Sequence, residues 1–148
     1  MATIKIVFPQ ADSINKIIRI ISSLDPKMIS NKEYIMSNFG IVYRQAQYYI
    51  DAIRFLGIID NENNITDVGV FVMESKVKNI EICHILRNLI VNKPVFKDVY
   101  EYVKKHHSLP DKKHIASLIM NYFGLSYVTS MRRTSTVISW INWAIDII

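Results

Sequence analysis

Five side chains near the middle of the chain's first half could read the edge of a nucleic acid: Tyr43, Arg44, Gln45, Gln47 and Tyr48. Arginine forms a bidentate pair with guanine and glutamine with adenine, and each good pair discriminates by about 1–3 kcal/mol. A second set combines guanidinium groups with hydroxyls: Ser130, Arg132, Arg133, Thr134 and Ser135. Placed at a helix N-terminus, this set would meet an anion with backbone N–H groups and a guanidinium fork. Arg132, Arg133, Thr134 and Ser135 are the base-reading residues of this second set, and Ser130 is a phosphate contact. Lys104, Lys105, Lys112 and Lys113 would add phosphate contacts with less specificity. The plain alternative is a solvated polar helix face for the first set and a helix-capping segment for the second.

The elements that must carry these residues follow from periodicity. Ala46, Tyr49, Ile50, Ile53 and Leu56 recur at helical spacing, so a helix from about Tyr43 to Leu56 is expected with the first set on its outer face. A shorter helix, Asn31–Phe39, precedes it. Ser30 and Glu33 form a capping box for that helix, and Gly40 stops it. Two short apolar runs, Leu56–Asp60 and Ile65–Thr66, flank the polar turn at Asn61–Asn64 and read as a β-hairpin. Ile4–Phe8 reads as an arm or edge strand, and a helix running to about Ser23 follows it. Thr66 or Asp67 would cap a further helix, Val68 to about Ser75.

The second half reads as helices around Ile80–Val91, Phe96–His107 and Asp111–Phe123. A loop from Leu125 to Met131 and a last helix from about Arg132 to Ile147 follow. In that last helix Trp140 and Trp143 stand among apolar neighbours, which points to core packing, with surplus apolar surface for a neighbouring unit. An internal repeat links the halves: IMSNFG at Ile35–Gly40 matches IMNYFG at Ile119–Gly124. Allowing four extra loop residues in the second copy aligns Ile50 and Ile53 with Ile138 and Ile141, and Phe55 with Trp143.

Charge divides between the halves. Residues 1–75 carry 7 basic and 8 acidic side chains, whereas residues 76–148 carry 11 and 5, within an overall net charge of +5. The second half is therefore the one expected to meet phosphate. No apolar run approaches the roughly 20 residues that span a bilayer. The N-terminus has no signal-peptide pattern, so a cytoplasmic protein without membrane contact is expected. Cys83 is the single cysteine, which excludes an intrachain disulfide and a cysteine zinc site.

Enzyme readings find little support. His84, His106, His107 and His114 lack metal-ligand spacing, and no carboxylate cluster accompanies them. Pro110-Asp111 has only Asp146 as a later acidic residue, too few carboxylates to hold Mg²⁺ for nuclease chemistry. The four glycines are widely spaced and form no phosphate loop. The expectation is a chain with no catalytic centre, no metal, no cofactor and no small-molecule substrate.

The words RQAQYYIDAIRFLGII and ITDVG in the first half, with RRTSTVISWINWA in the second, resemble the tandem winged-helix recognition modules of type II restriction endonucleases, including the type IIS enzymes. The resemblance implies a mainly α protein of two tandem winged helix-turn-helix units with small β-hairpin wings. The first would cover residues 1–75 with its N-terminal arm, the second residues 76–148. It implies sequence-specific binding to double-stranded DNA, with cleavage by a nuclease domain or subunit outside this sequence. A transcriptional or replication regulator, and a protein-binding scaffold using the Trp140/Trp143 helix, are the other readings.

Overall fold

The structure, a computed structural model, describes residues 7–23, 25–74 and 79–146. The chain divides into two compact units, residues 1–86 and 87–148.

In the first unit, α1 (Ile14–Ser23) leads through a 3-10 turn (Pro26–Met28) to α2 (Lys32–Phe39) and α3 (Tyr43–Phe55). α2 has only 8 residues, too few to hold a helix in water without tertiary packing. That packing comes from α3, against which it lies, while α1 packs on α3 from its own side. Ile14, Ile17, Ile20 and Ile21 from α1 meet a core with Ile35 from α2 and Ala46, Ile50 and Ile53 from α3, all buried. Burying each such isoleucine stabilises by about 1.5–3 kcal/mol. Phe8 tilts against Phe55 with ring centroids 5.8 Å apart. The cap of α2 is Asn31, whose side chain accepts the Tyr34 N–H (3.0 Å), one residue later than the expected Ser30.

No β-strand occurs among the described residues, so the expected hairpin wings are absent and the two units are not winged helices. The first expected wing reduces to one antiparallel bridge, Ile59 with Ile65. Its flanks are consumed by helices. Leu56 and Gly57 close α3 through N–H bonds to Ala52 and Arg54, and α4 (Asp67–Glu74) begins two residues after Ile65. Only two residues on each side remain for pairing, too few for a stable ladder. Ile58 and Ile59 are both buried, whereas neighbours in a half-solvated strand would alternate. Between them and Ile65, Asp60 Oδ1 accepts the N–H groups of Glu62 and Asn64, each at 2.9 Å, and fixes a tight turn. Thr66 then starts α4: its hydroxyl accepts the Gly69 N–H (2.9 Å) and donates to the carbonyls of Gly57 and Ile58. A Cβ on Gly69 would lie 2.1 Å from the Ile58 carbonyl oxygen, so only glycine lets α4 approach this closely. Of the expected Ile4–Phe8 strand, Ile4–Ile6 lie outside the described residues, and Val7 and Phe8 form no strand. Residues 75–78, which include the expected boundary at 75/76, also lie outside them.

α5 (Asn79–Val91) precedes α6 (Phe96–His106), α7 (Lys112–Phe123) and α8 (Tyr127–Asp146). Within the second unit α7 packs along α8, and α6 packs on α8. Trp140 stacks on Phe96, centroids 5.1 Å apart, and neither ring has exposed surface. Val99, Ile115, Ile119, Val137 and Ile141 complete this core. Trp140 is thus a core residue and no docking surface. The cap of α7 is Asp111, accepting the His114 N–H at 2.8 Å.

The last helix starts earlier than the sequence suggested. Ser126 accepts the Thr129 N–H (3.2 Å) and α8 runs from Tyr127, where a loop to Met131 was expected. The connectors Gly40–Val42 and Gly124–Ser126 therefore have equal length, and the four-residue insertion in the repeat alignment disappears. Positions 84 apart correspond throughout, from Ile35/Ile119 to Tyr43/Tyr127 and into both long helices. Ala46/Ser130, Ile50/Thr134 and Ile53/Val137 are buried in each copy. Gly40 (φ +63) and Gly124 (φ +67) end the shorter helices in left-handed geometry, donating N–H bonds to Met36 and Met120.

Candidate nucleic-acid interface

The start of α3 presents the expected polar group. Val42 supplies the N-cap position without a side-chain hydrogen bond, so the first backbone N–H groups of α3 are not capped. Arg44 and Gln45 are exposed and have no hydrogen-bond partner among the described residues. Tyr43 is 53% exposed; its hydroxyl accepts from Lys32 Nζ at 2.9 Å, and the same ammonium lies 4.6 Å from the ring centroid. Lys32 thus brings a second cation to this end of α3, a partnership between two helices that residue spacing does not reveal. Tyr48 is half-buried.

Gln47 is committed inside the unit. Its Nε2 donates to Asp51 Oδ1 (2.8 Å), which also pairs with Arg54 Nη1 at 3.1 Å. Arg54 reaches on to the Asp60 carbonyl (3.2 Å) and to Asn63 Oδ1, so it ties α3 to the turn that follows. Asp51 therefore offsets Arg54 and leaves Arg44 as the unneutralised guanidinium on this face. Tyr49, on the inner face, has its hydroxyl pKa raised, first by burial and then by the Asp12 carboxylate, and stays protonated as a core group.

The second set fares differently. Because α8 begins at Tyr127, residues 130–136 run from the end of its first turn into its third, and the Ser130 N–H is already bonded to the Ser126 carbonyl at 2.8 Å. Their backbone N–H groups are spent on the helix, and the anion-binding argument for them fails. Ser130 and Thr134 are buried, and Thr134 Oγ1 donates back to the Met131 carbonyl at 2.7 Å, so neither hydroxyl faces a duplex. Arg132 and Ser135 are exposed; Ser135 donates to the Arg132 carbonyl at 3.4 Å. Arg133 is half-buried. At the position of Arg44 the second copy has Val128, 61% exposed, and at that of Gln45 it has Thr129. Lys104 and Lys105 are exposed at the C-terminal end of α6, and Lys112 and Lys113 in the first turn of α7.

Among the described residues no group of three or more His, Cys, Asp or Glu side chains could hold a metal ion. His106 and His114 flank the Tyr102 ring, at 4.2 and 5.9 Å, in an aromatic cluster. Burial raises the Cys83 thiol pKa, opposite to the shift that makes a reactive thiolate. Among the described residues no helix is long and apolar enough to cross a membrane.

No curated protein and no solved structure matches the chain. A family model described as a domain of unknown function, DUF7226, matches residues 16–148, and the chain belongs to that family.

Proposed function

We propose that the chain binds double-stranded DNA and reads a short sequence with the N-terminal end of α3. One observation carries this reading: Arg44 and Gln45 stand exposed and unpartnered at an uncapped helix start, on the second helix of a tight helix–turn–helix pair. Such an end offers backbone donors for phosphate and long forked donors for base edges at once. Lys32 and Tyr43 support it from the flank within the same unit, and the second unit carries exposed cations of its own, Arg132, Lys112 and Lys113. The short sequence words shared with type II restriction recognition modules, without the hairpin wings of those modules, extend the proposal to a target-recognition role in the cytoplasm beside a separate nuclease domain or subunit. A regulator using the same helices would bind its own promoter without a nuclease partner.

The test is selection of bound duplexes from a random pool with the full chain. A recovered consensus that Arg44→Ala and Gln45→Ala each degrade supports the proposal. Recovery of no consensus, or one indifferent to both substitutions, overturns it. A protein-binding role is favoured by the exposed Val68, Val70 and Phe71 of α4, the last 61% exposed. Salt-independent failure to retain any duplex would favour that reading.

A further inference from the structure

Within the second unit an open cleft of about 470 Å³ is lined by Arg87, Tyr100, Val103, Lys104, His107 and Ile145. We propose that this cleft is a phosphate-ester site. It belongs to the second unit, whereas α3 belongs to the first, and it does not rest on the duplex reading there.

Among the described residues the lining carries two cationic side chains and an imidazole, and no carboxylate. Arg87 is held by one bond, from Nη2 to the Tyr100 hydroxyl at 2.6 Å, with its guanidinium carbon 5.8 Å from the ring centroid. Its Nε is buried and donates to nothing among the described residues. A buried donor on a charged group is costly to leave unmade, and an incoming oxygen would satisfy it. Lys104 Nζ lies 5.5 Å from the centroid of the same Tyr100 ring. Tyr100 therefore organises both cations around one opening.

His107 joins them through an unusual backbone. It ends α6 in left-handed geometry at φ +58, with its N–H bonded to Val103, where glycine is the common choice. A histidine there costs backbone strain and places an imidazole at the cleft mouth. The C-terminal carbonyls of α6 oppose an anion by about half a charge, which Lys104 and Arg87 outweigh. A planar fork, an ammonium and an imidazole suit a group with three acceptor oxygens better than a two-oxygen carboxylate. Val103, Ile145 and the Tyr100 ring give an apolar wall for the organic part. The volume lies within the range of small-molecule sites and exceeds the needs of inorganic phosphate alone. The ligand class is thus a phosphate ester with a flat or apolar body, supplied either by a free mononucleotide or by a nucleic-acid strand.

The experiment follows the Arg87 Nε–H resonance of the full chain by NMR during titration. The probes are deoxyadenosine monophosphate, deoxyadenosine and a short duplex. Saturable shifts with the monophosphate and none with the nucleoside support a free mononucleotide. Shifts with the duplex alone support a strand phosphate. In either case the exposed substitution Lys104→Gln should weaken the effective ligand about tenfold or more, the scale of a lost charged hydrogen bond. His107→Gly, which suits the left-handed backbone, should weaken it without loss of fold. Arg44→Ala should leave the mononucleotide shift unchanged, separating this site from α3. No shift with either phosphate probe, an equal shift with the nucleoside, or indifference to Lys104→Gln overturns the proposal.

Discussion

The pairs α2–α3 and α7–α8 are two copies of one device with different outer faces. Both turn at a left-handed glycine, both connect through three residues, and both bury the same helix positions. Outside the core they diverge. Arg44 and Gln45 in the first copy stand where Val128 and Thr129 stand in the second. Inside, Ile50 faces the core where the second copy has Thr134, and Ala46 where it has Ser130. A helix pair tolerates this because packing constrains volume at a few inward positions and leaves the outward ones to function. Likeness of scaffold therefore does not carry likeness of surface: donors at a helix start belong to one copy, while the other offers an apolar start.

This contrast can be broken at several points. The largest effect is expected at Gly69, where α4 of the first unit seats against the Ile58 carbonyl. Gly69→Ala should destabilise that unit by about 3 kcal/mol, the upper end for overpacking a tight contact, and leave the second unit's melting unchanged. Chemical denaturation followed by Trp140 and Trp143 fluorescence, against amide exchange in α3, measures both. Arg44→Ala should lose about 1–3 kcal/mol of base discrimination, whereas Val128→Ala should change discrimination little. Duplex competition assays check this pair. Gly40→Ala and Gly124→Ala should each cost about 1 kcal/mol, and equal losses would show that the two turns do the same work. Alkaline titration separates the units again. Tyr49 has a hydroxyl pKa raised above its ordinary 10.0, so its stabilising contribution is whole below that pH and is lost as pH rises through the folded value. Tyr49→Phe should remove that alkaline loss. Tyr122, raised chiefly by its hydrogen bond to Asp98, is exposed and should contribute less. The smallest effect is expected at Ser130, whose buried hydroxyl makes no hydrogen bond among the described residues. Ser130→Ala copies Ala46 and should be neutral or stabilising by up to about 1 kcal/mol.

Much of the helical plan was legible in residue types. Gly40 and Gly124 mark their turns, and Ile14, Ile17 and Ile21 mark the buried side of α1, where the structure buries Ile20 and leaves Ile18 half-buried. Thr66 is recognisable as a cap, whereas the pattern starts a helix at Asp111 itself, which the structure makes the cap of α7 with Lys112 first in the helix. Other features were hidden for physical reasons. Leu56–Ile59 reads as a strand because its residues are apolar, yet they are apolar in order to close α3 and fill the core. Ser126, Thr129 and Ser130 read as loop because hydroxyl residues favour caps and turns, and one cap among them was enough to start a helix of 20 residues. Of the site, Arg44 and Gln45 could be placed outward from periodicity alone. The engagement of Gln47 with Asp51 follows i,i+4 spacing and could have been read. The Lys32–Tyr43 contact and the approach of Arg87 to Tyr100 could not, because each joins side chains on different helices whose packing no local pattern encodes.

The equal connectors have a practical consequence. With the same number of residues between two matching helices, and with a glycine at the same place, the outward side chains become interchangeable cassettes. Grafting Arg44 and Gln45 onto positions 128 and 129 of α8 would leave every inward position and both glycine turns untouched. A chain built this way could be given two identical sets of outward donors, or two different ones, without redesigning its interior.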